Sequence, residues 1–140
     1  MKREIKFRGK RKTDGEWLYG YYFVNRGLHF IVTDGLASAG NTFKDYEVDP
    51  ETVGQYTGLT DMKGRGVYEG DIINWLRHRI DRTGYIEEGR VEFRTEEQAF
   101  VVINKFKTQD GRKSVRNILN CITNLDVVGN IYDNPELLEL

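Results

Sequence analysis

Apolar and polar residues alternate with a period of two through much of the chain, as expected for strands that turn one face to a core. Ile5–Arg8 alternates apolar and basic, and Asp14-Gly15 marks a turn after it. Trp17–Phe23 resumes as strand, Asn25-Arg26-Gly27 turns the chain again, and Leu28–Val32 follows. The opening therefore predicts a meander of three strands. Residues 34–41 are small and Gly-rich without periodicity, which predicts a surface loop. Asp45, Glu47, Asp49 and Glu51 surround Val48, which reads as an edge position.

The strongest local signal is GQYTGLTDMKGRGVYEGDII. A strand candidate begins at Thr52–Tyr56. Asp61-Met62-Lys63-Gly64 then has the form of a tight turn joining Tyr56–Leu59 to Gly66–Tyr68. Glu69-Gly70-Asp71 is a second turn feeding Ile72–Leu76, in which Ile73 and Trp75 share a face and are expected to be buried. Arg77–Gly84 reads as a long basic hairpin loop. Arg90–Arg94 alternates strictly, with Val91 and Phe93 expected inward, and Phe100–Phe106 is a more continuously apolar strand ended by Asp110-Gly111. Val115, Ile118, Leu119 and Ile122 fall at helical spacing behind Ser114, which predicts a short helix with Ser114 as N-cap, a strand being the alternative. Leu125–Tyr132 is a last strand. Asn134-Pro135 has the form of an N-cap followed by a first helical residue, so Glu136–Leu140 is expected to make one helical turn.

Composition agrees with this pattern. Val, Ile, Thr, Tyr, Phe and Trp total 48 residues, against three Ala, and fifteen Gly suit many tight turns. The expected fold is mainly β, a barrel-like or sandwich arrangement of short antiparallel strands with one or two short helices. A length of 140 residues is about that of one domain, so residues 1–140 are read as a single domain with its own core. The lone Cys121 excludes a disulfide framework and a Cys-rich zinc module. No apolar run approaches the roughly 18 residues of a membrane span, and the polar N-terminus has no signal-peptide core. A cytoplasmic protein without a membrane partner is the expectation.

Candidate chemistry is sparse. His29 lies mid-strand and His78 in a basic stretch, so a triad or metal site would require remote groups to converge. Cys121 sits among apolar residues and reads as a buried small side chain. Gly64-Arg65-Gly66 precedes a strand and not a helix, so it forms no helix-terminal phosphate cradle. The acidic run 45–51 lacks the Gly and bidentate Glu of a calcium loop. No catalytic residue, cofactor or metal site is expected.

Charge distribution says more than the net charge of -1. Residues 1–12 carry seven basic groups and one acid, 77–82 hold three Arg, and 105–116 hold five basic groups and one acid. If Lys6, Arg8, Arg11, Arg79, Arg82, Lys105, Lys107 and Arg112 shared a face near Trp17, Tyr19 and Phe106, they would form a phosphate-binding patch. The competing explanation is that strand edges carry Lys and Arg to prevent aggregation, and it is preferred.

Three segments together, REIKFRGK, ETVGQYTGLTDMKGRGVYEGDII and VVGNIYDNPELL, resemble the YopX family of small phage- and prophage-encoded proteins, in order and over nearly the whole chain. The resemblance implies a predominantly β fold and a phage or prophage origin, and it carries over no catalytic residues. At the matched positions, Gly58, Gly64, Gly70 and Gly129 read as turns or bulges, Tyr56, Tyr68, Ile72 and Ile131 as core, and Asn134 as a cap. The expected function is that of a non-enzymatic accessory protein in the host bacterial cell, binding an unknown phage or host protein or assembling with itself as a homo-oligomer. A small β-barrel that binds nucleic acid is the alternative and is not favoured.

Overall fold

The computed structural model describes residues 2–33 and 42–139; the loop expected at 34–41 lies outside them. The strands are β1 Phe7–Lys10, β2 Trp17–Asn25, β3 Leu28–Val32, β4 Gly54–Thr60, β5 Gly66–Tyr68, β6 Asp71–His78, β7 Gly84–Arg94, β8 Ala99–Lys107, β9 Lys113–Asn117 and β10 Asp126–Asn130. They form two five-stranded sheets, in the orders β3-β2-β1-β4-β5 and β10-β6-β7-β8-β9. The fold is mainly β, as the alternation predicts, and the sheets do not close into a barrel. Among the described residues the only helical pieces are short 3-10 turns, and no helix is long and apolar enough to cross a membrane.

The chain divides into two compact units, Met1–Gly58 and Leu59–Leu140. Each has an apolar cluster of its own. In the first unit Leu18, Ile31 and Val48 are buried together, with Phe7, Tyr22 and Val53 packed against them. The expected meander is present, with β2 between β1 and β3. Arg26 and Gly27 both have positive φ, 52° and 78°, in the two-residue turn that closes the β2–β3 hairpin. That mirror-image turn matches the right-handed twist of the strands. Val48 is fully buried and not at an edge, because residues 46–48 run along β3: the N–H of Ile31 donates to Tyr46 O and that of Val48 to His29 O.

In the second unit Val67, Ile73, Trp75, Val91, Val102, Ile118, Cys121 and Leu125 make the core. Trp75 is buried beside Ile73, as their shared strand face requires. Several expectations need correction. β6 runs to His78 and β7 starts at Gly84, so the basic loop is only the turn 79–83, closed by the Arg79 N–H on Thr83 O. Phe93 is not inward; it is 39% exposed and packs edge-on against Phe100, its partner across β7–β8. The helix expected behind Ser114 is strand β9, followed by a 3-10 turn, Ile118–Cys121, whose N-cap is Asn117. Pairing with β8 overrides the helical spacing there, since Val115 faces Ile103 and Arg116 faces Val102. The C-terminal turn is 3-10, Pro135–Leu138, with Asn134 at its start but making no side-chain cap bond to it.

Local polar bonds explain the two most specific sequence segments. Asp61 has a buried side chain whose Oδ1 accepts from the backbone N–H groups of Lys63 and Arg65, and whose Oδ2 accepts from Arg65 Nε and Val127 N. The β4–β5 turn is thereby tied to β10. The buried Asp71 carboxylate accepts from Tyr68 N at 2.7 Å, which closes the turn at Gly70. In GNIYDN, Asn130 Oδ1 accepts from the N–H groups of Tyr132 and Asp133, and the Asn130 N–H donates to Asn134 Oδ1.

Candidate functional site

Two faces of the second unit stand out, one polar and one a strand edge. Because β6 through β9 are consecutive antiparallel neighbours, the turns 79–83 and 108–112 lie at the same end of their sheet. Arg79, Arg82, Lys107 and Arg112 gather there. Arg79 lies 4.5 Å from the Tyr85 ring centre, and Ile80 at the turn is fully exposed. Lys105, further along β8, is bound to Glu88 at 3.3 Å and lies over the Phe106 ring. Arg112 approaches Asp110 at 4.0 Å.

A cleft of about 280 Å³ opens beside this end, lined among others by Tyr85, Glu87, Asn104, Phe106, Lys107 and Arg116. Trp75 faces Glu87 across β6–β7, and Arg116 and Arg77 sit at 4.0 and 3.9 Å from Glu87 Oε2. Both contacts are too long to be hydrogen bonds. Glu87 Oε2 and Arg116 Nε are buried with no hydrogen-bond partner. The cluster has one anion between two cations, which suits it to tying β6, β7 and β9 together or taking a small polar molecule. It contains no nucleophile: burial pushes the nearby Cys121 thiol up to about 12, so the thiolate is scarce at neutral pH.

In the first unit Lys6, Arg8 and Arg11 are each engaged separately. Lys6 pairs with Glu4 at 3.4 Å and lies over the Tyr56 ring. Arg8 is buried, its guanidinium 4.6 Å from the Trp17 ring centre, and so does not offer a free cation at the surface. Arg11 forks onto Asp14 through Nε and a terminal nitrogen at 2.9 and 2.8 Å, and those bonds hold the Asp14 carboxyl below its ordinary range. His29 shares a 2.6 Å hydrogen bond with the Tyr22 hydroxyl. Among the described residues no group of three or more His, Cys, Asp or Glu side chains is placed to hold a metal ion.

The second face is the outer edge of β9. Two other edges are occupied: β3 by residues 46–48, and β10 by Asp61, by the Met62 N–H on Leu125 O and by Arg65 on Val127 O. For residues 113–116 no backbone hydrogen bond beyond the β8 ladder occurs among the described residues. The edge escapes sequence reasoning because helical spacing hides the strand. The Arg77–Glu87–Arg116 cluster escapes it because the β6–β7–β8–β9 registers set it.

The protein-family model described as YopX protein matches residues 6–139. The crystal structure of protein EF1440 from Enterococcus faecalis is similar at 21% sequence identity, covering 98% of this chain and 99% of that one, with a TM-score of 0.47. No curated protein matches the chain.

Proposed function

The chain belongs to the YopX family, and on that premise we propose that it is a non-enzymatic phage or prophage accessory protein that binds a protein partner by strand addition. The observation that supports this reading is the open edge of β9, where the edges of β3 and β10 are capped. An exposed edge offers a row of N–H and C=O groups that an extended segment can pair with, while side chains on alternate faces supply specificity. The partner is a phage or host protein in the cytoplasm of the host bacterium. The burial of the Cys121 thiol supports a non-enzymatic reading.

The test is recovery of partners with the tagged protein from lysogenic cells during induction, comparing the natural chain with Val115→Pro and Arg116→Pro. N–H groups alternate in direction along a strand, so one of the two substitutions removes an outward donor without breaking the β8 ladder. A partner lost in the variant that keeps its fold supports strand addition. Equal recovery with the natural chain and with the variant that keeps its fold, or none with the natural chain, overturns it.

A further inference from the structure

We propose that the cleft beside the turns 79–83 and 108–112 binds a nucleoside 5′-monophosphate, its phosphate at Arg116 and Lys107 and its base on the Phe106 ring. The proposal goes beyond strand addition and does not depend on it, since it uses side chains on a face of the sheet and not the backbone edge of β9. Trp75 faces Glu87, Gly89 faces Asn104 and Val102 faces Arg116 across the successive ladders. Glu87, Asn104 and Arg116 therefore share the face that carries Ile73, Trp75, Val91 and Val102. Those apolar residues belong to the packed core, and the cleft of about 280 Å³ is the polar continuation of their face. That volume lies just under the ~300 Å³ at which ligand sites ordinarily begin, which suits one mononucleotide and not a strand.

The polar groups point to an anion. Arg116 is half-buried, and among the described residues its guanidinium makes no hydrogen bond; Nε is buried and stays 4.0 Å from Glu87 Oε2. Half-buried donors without acceptors are costly, and a phosphate supplies oxygens that a guanidinium takes two at a time. Lys107 lines the same cleft and faces Lys113 across β8–β9, and no acid pairs with either among the described residues. Opposed like charges are destabilising, and an anion at the cleft offsets them. Arg77, Lys107 and Arg116 outnumber the one carboxylate of Glu87, so the local field is positive. Phe106 adds a planar partner to the anion site, because it lines the cleft and is 51% exposed. Bases of every kind stack on such a ring. Glu87 accepts no hydrogen bond among the described residues, and its carboxylate in the same cleft is an acceptor for a base N–H.

Isothermal titration calorimetry of the natural chain is the test, with uridine and guanosine 5′-monophosphates as probes and ribose 5-phosphate and inorganic phosphate as controls. Both nucleotides should bind about tenfold more tightly than either control, the margin that stacking of one base supplies. Phe106→Ala, at an exposed position, should lower nucleotide affinity about tenfold, to that of ribose 5-phosphate. Lys107→Gln should weaken nucleotides and ribose 5-phosphate alike. Arg116→Lys, which keeps the charge and loses the planar fork, should do the same. Melting curves of the three variants show whether each keeps its fold. Absence of binding by either nucleotide at millimolar concentration overturns the proposal, as does a control that binds as tightly as the nucleotides. A Phe106→Ala or Lys107→Gln chain that folds and binds nucleotide as the natural chain does overturns it too.

Discussion

Gly129 and Asn134 are fitted to one another: a Cβ on residue 129 would lie 2.6 Å from Asn134 Oδ1 and 2.9 Å from Leu137 Cδ1. The amide oxygen cannot simply move away, because it accepts the Asn130 N–H at 3.3 Å. Gly129 also sits at the register shift where β10 slips against β6. Gly129→Ala should therefore destabilise the fold by about 1–3 kcal/mol through overpacking. Urea unfolding should show the loss as a lower midpoint, and a midpoint equal to that of the natural chain would show that the C-terminal turn yields freely.

Asp61 should make the second unit sensitive to acid. Burial disfavours its anion, but hydrogen bonds from Arg65, Val127 and Lys63 outweigh that cost and hold the carboxyl below its ordinary range. A lowered folded-state value stabilises the fold above the unfolded value of about 3.9, and the contribution disappears as pH falls through the folded value. Stability measured from about pH 5 downward should fall more steeply in the natural chain than in Asp61→Asn. At neutral pH that substitution should cost about 2–3 kcal/mol, because an amide nitrogen replaces an acceptor facing N–H donors.

Trp75 contributes by packing and not by a polar bond. It is fully buried, and its indole N–H has no hydrogen-bond partner. Trp75→Ala should cost about 3–5 kcal/mol. Trp75→Phe removes an unsatisfied donor along with some volume, so its cost should stay below about 1.5 kcal/mol. Denaturation midpoints for the pair settle this, and equal losses would argue that the N–H is satisfied.

Most of the strand order near the N-terminus is legible because alternation and the turns at Gly15, Gly27, Gly64 and Gly70 are local signals, and each of these glycines has positive φ. Where the structure departs from the local pattern, the cause is non-local. Arg77 and His78 are polar by composition yet continue β6, because Tyr85 and Gly84 are waiting across the hairpin. Val115, Ile118, Leu119 and Ile122 match a helix in spacing, but β8 supplies the ladder that makes residues 113–117 a strand. Arg8 is basic and reads as a surface cation, whereas the Trp17 ring beside it gives the buried guanidinium an aromatic face. The candidate edge depends on which strands are capped, and that is a property of pairing, absent from any one segment.

The geometry of the basic end argues for weak nucleic-acid binding. At the basic end of the second unit, Arg79, Arg82, Lys107 and Arg112 share their turns with Asp81 and Asp110. Hydrogen bonds from Thr83 to Asp81 and from Thr108 to Asp110 hold both carboxyls below their ordinary range, so both are ionised at neutral pH. Such anions cancel much of the field within a Debye length of about 8 Å. Fluorescence anisotropy with labelled single- and double-stranded DNA should therefore show binding that vanishes above about 50 mM salt. Micromolar or tighter binding at physiological salt would reverse the ranking of partners. In that case Arg82→Gln and Lys107→Gln should each reduce the log–log salt slope by about one, since each would remove one phosphate contact. An unchanged slope in both variants would place the contact away from these turns.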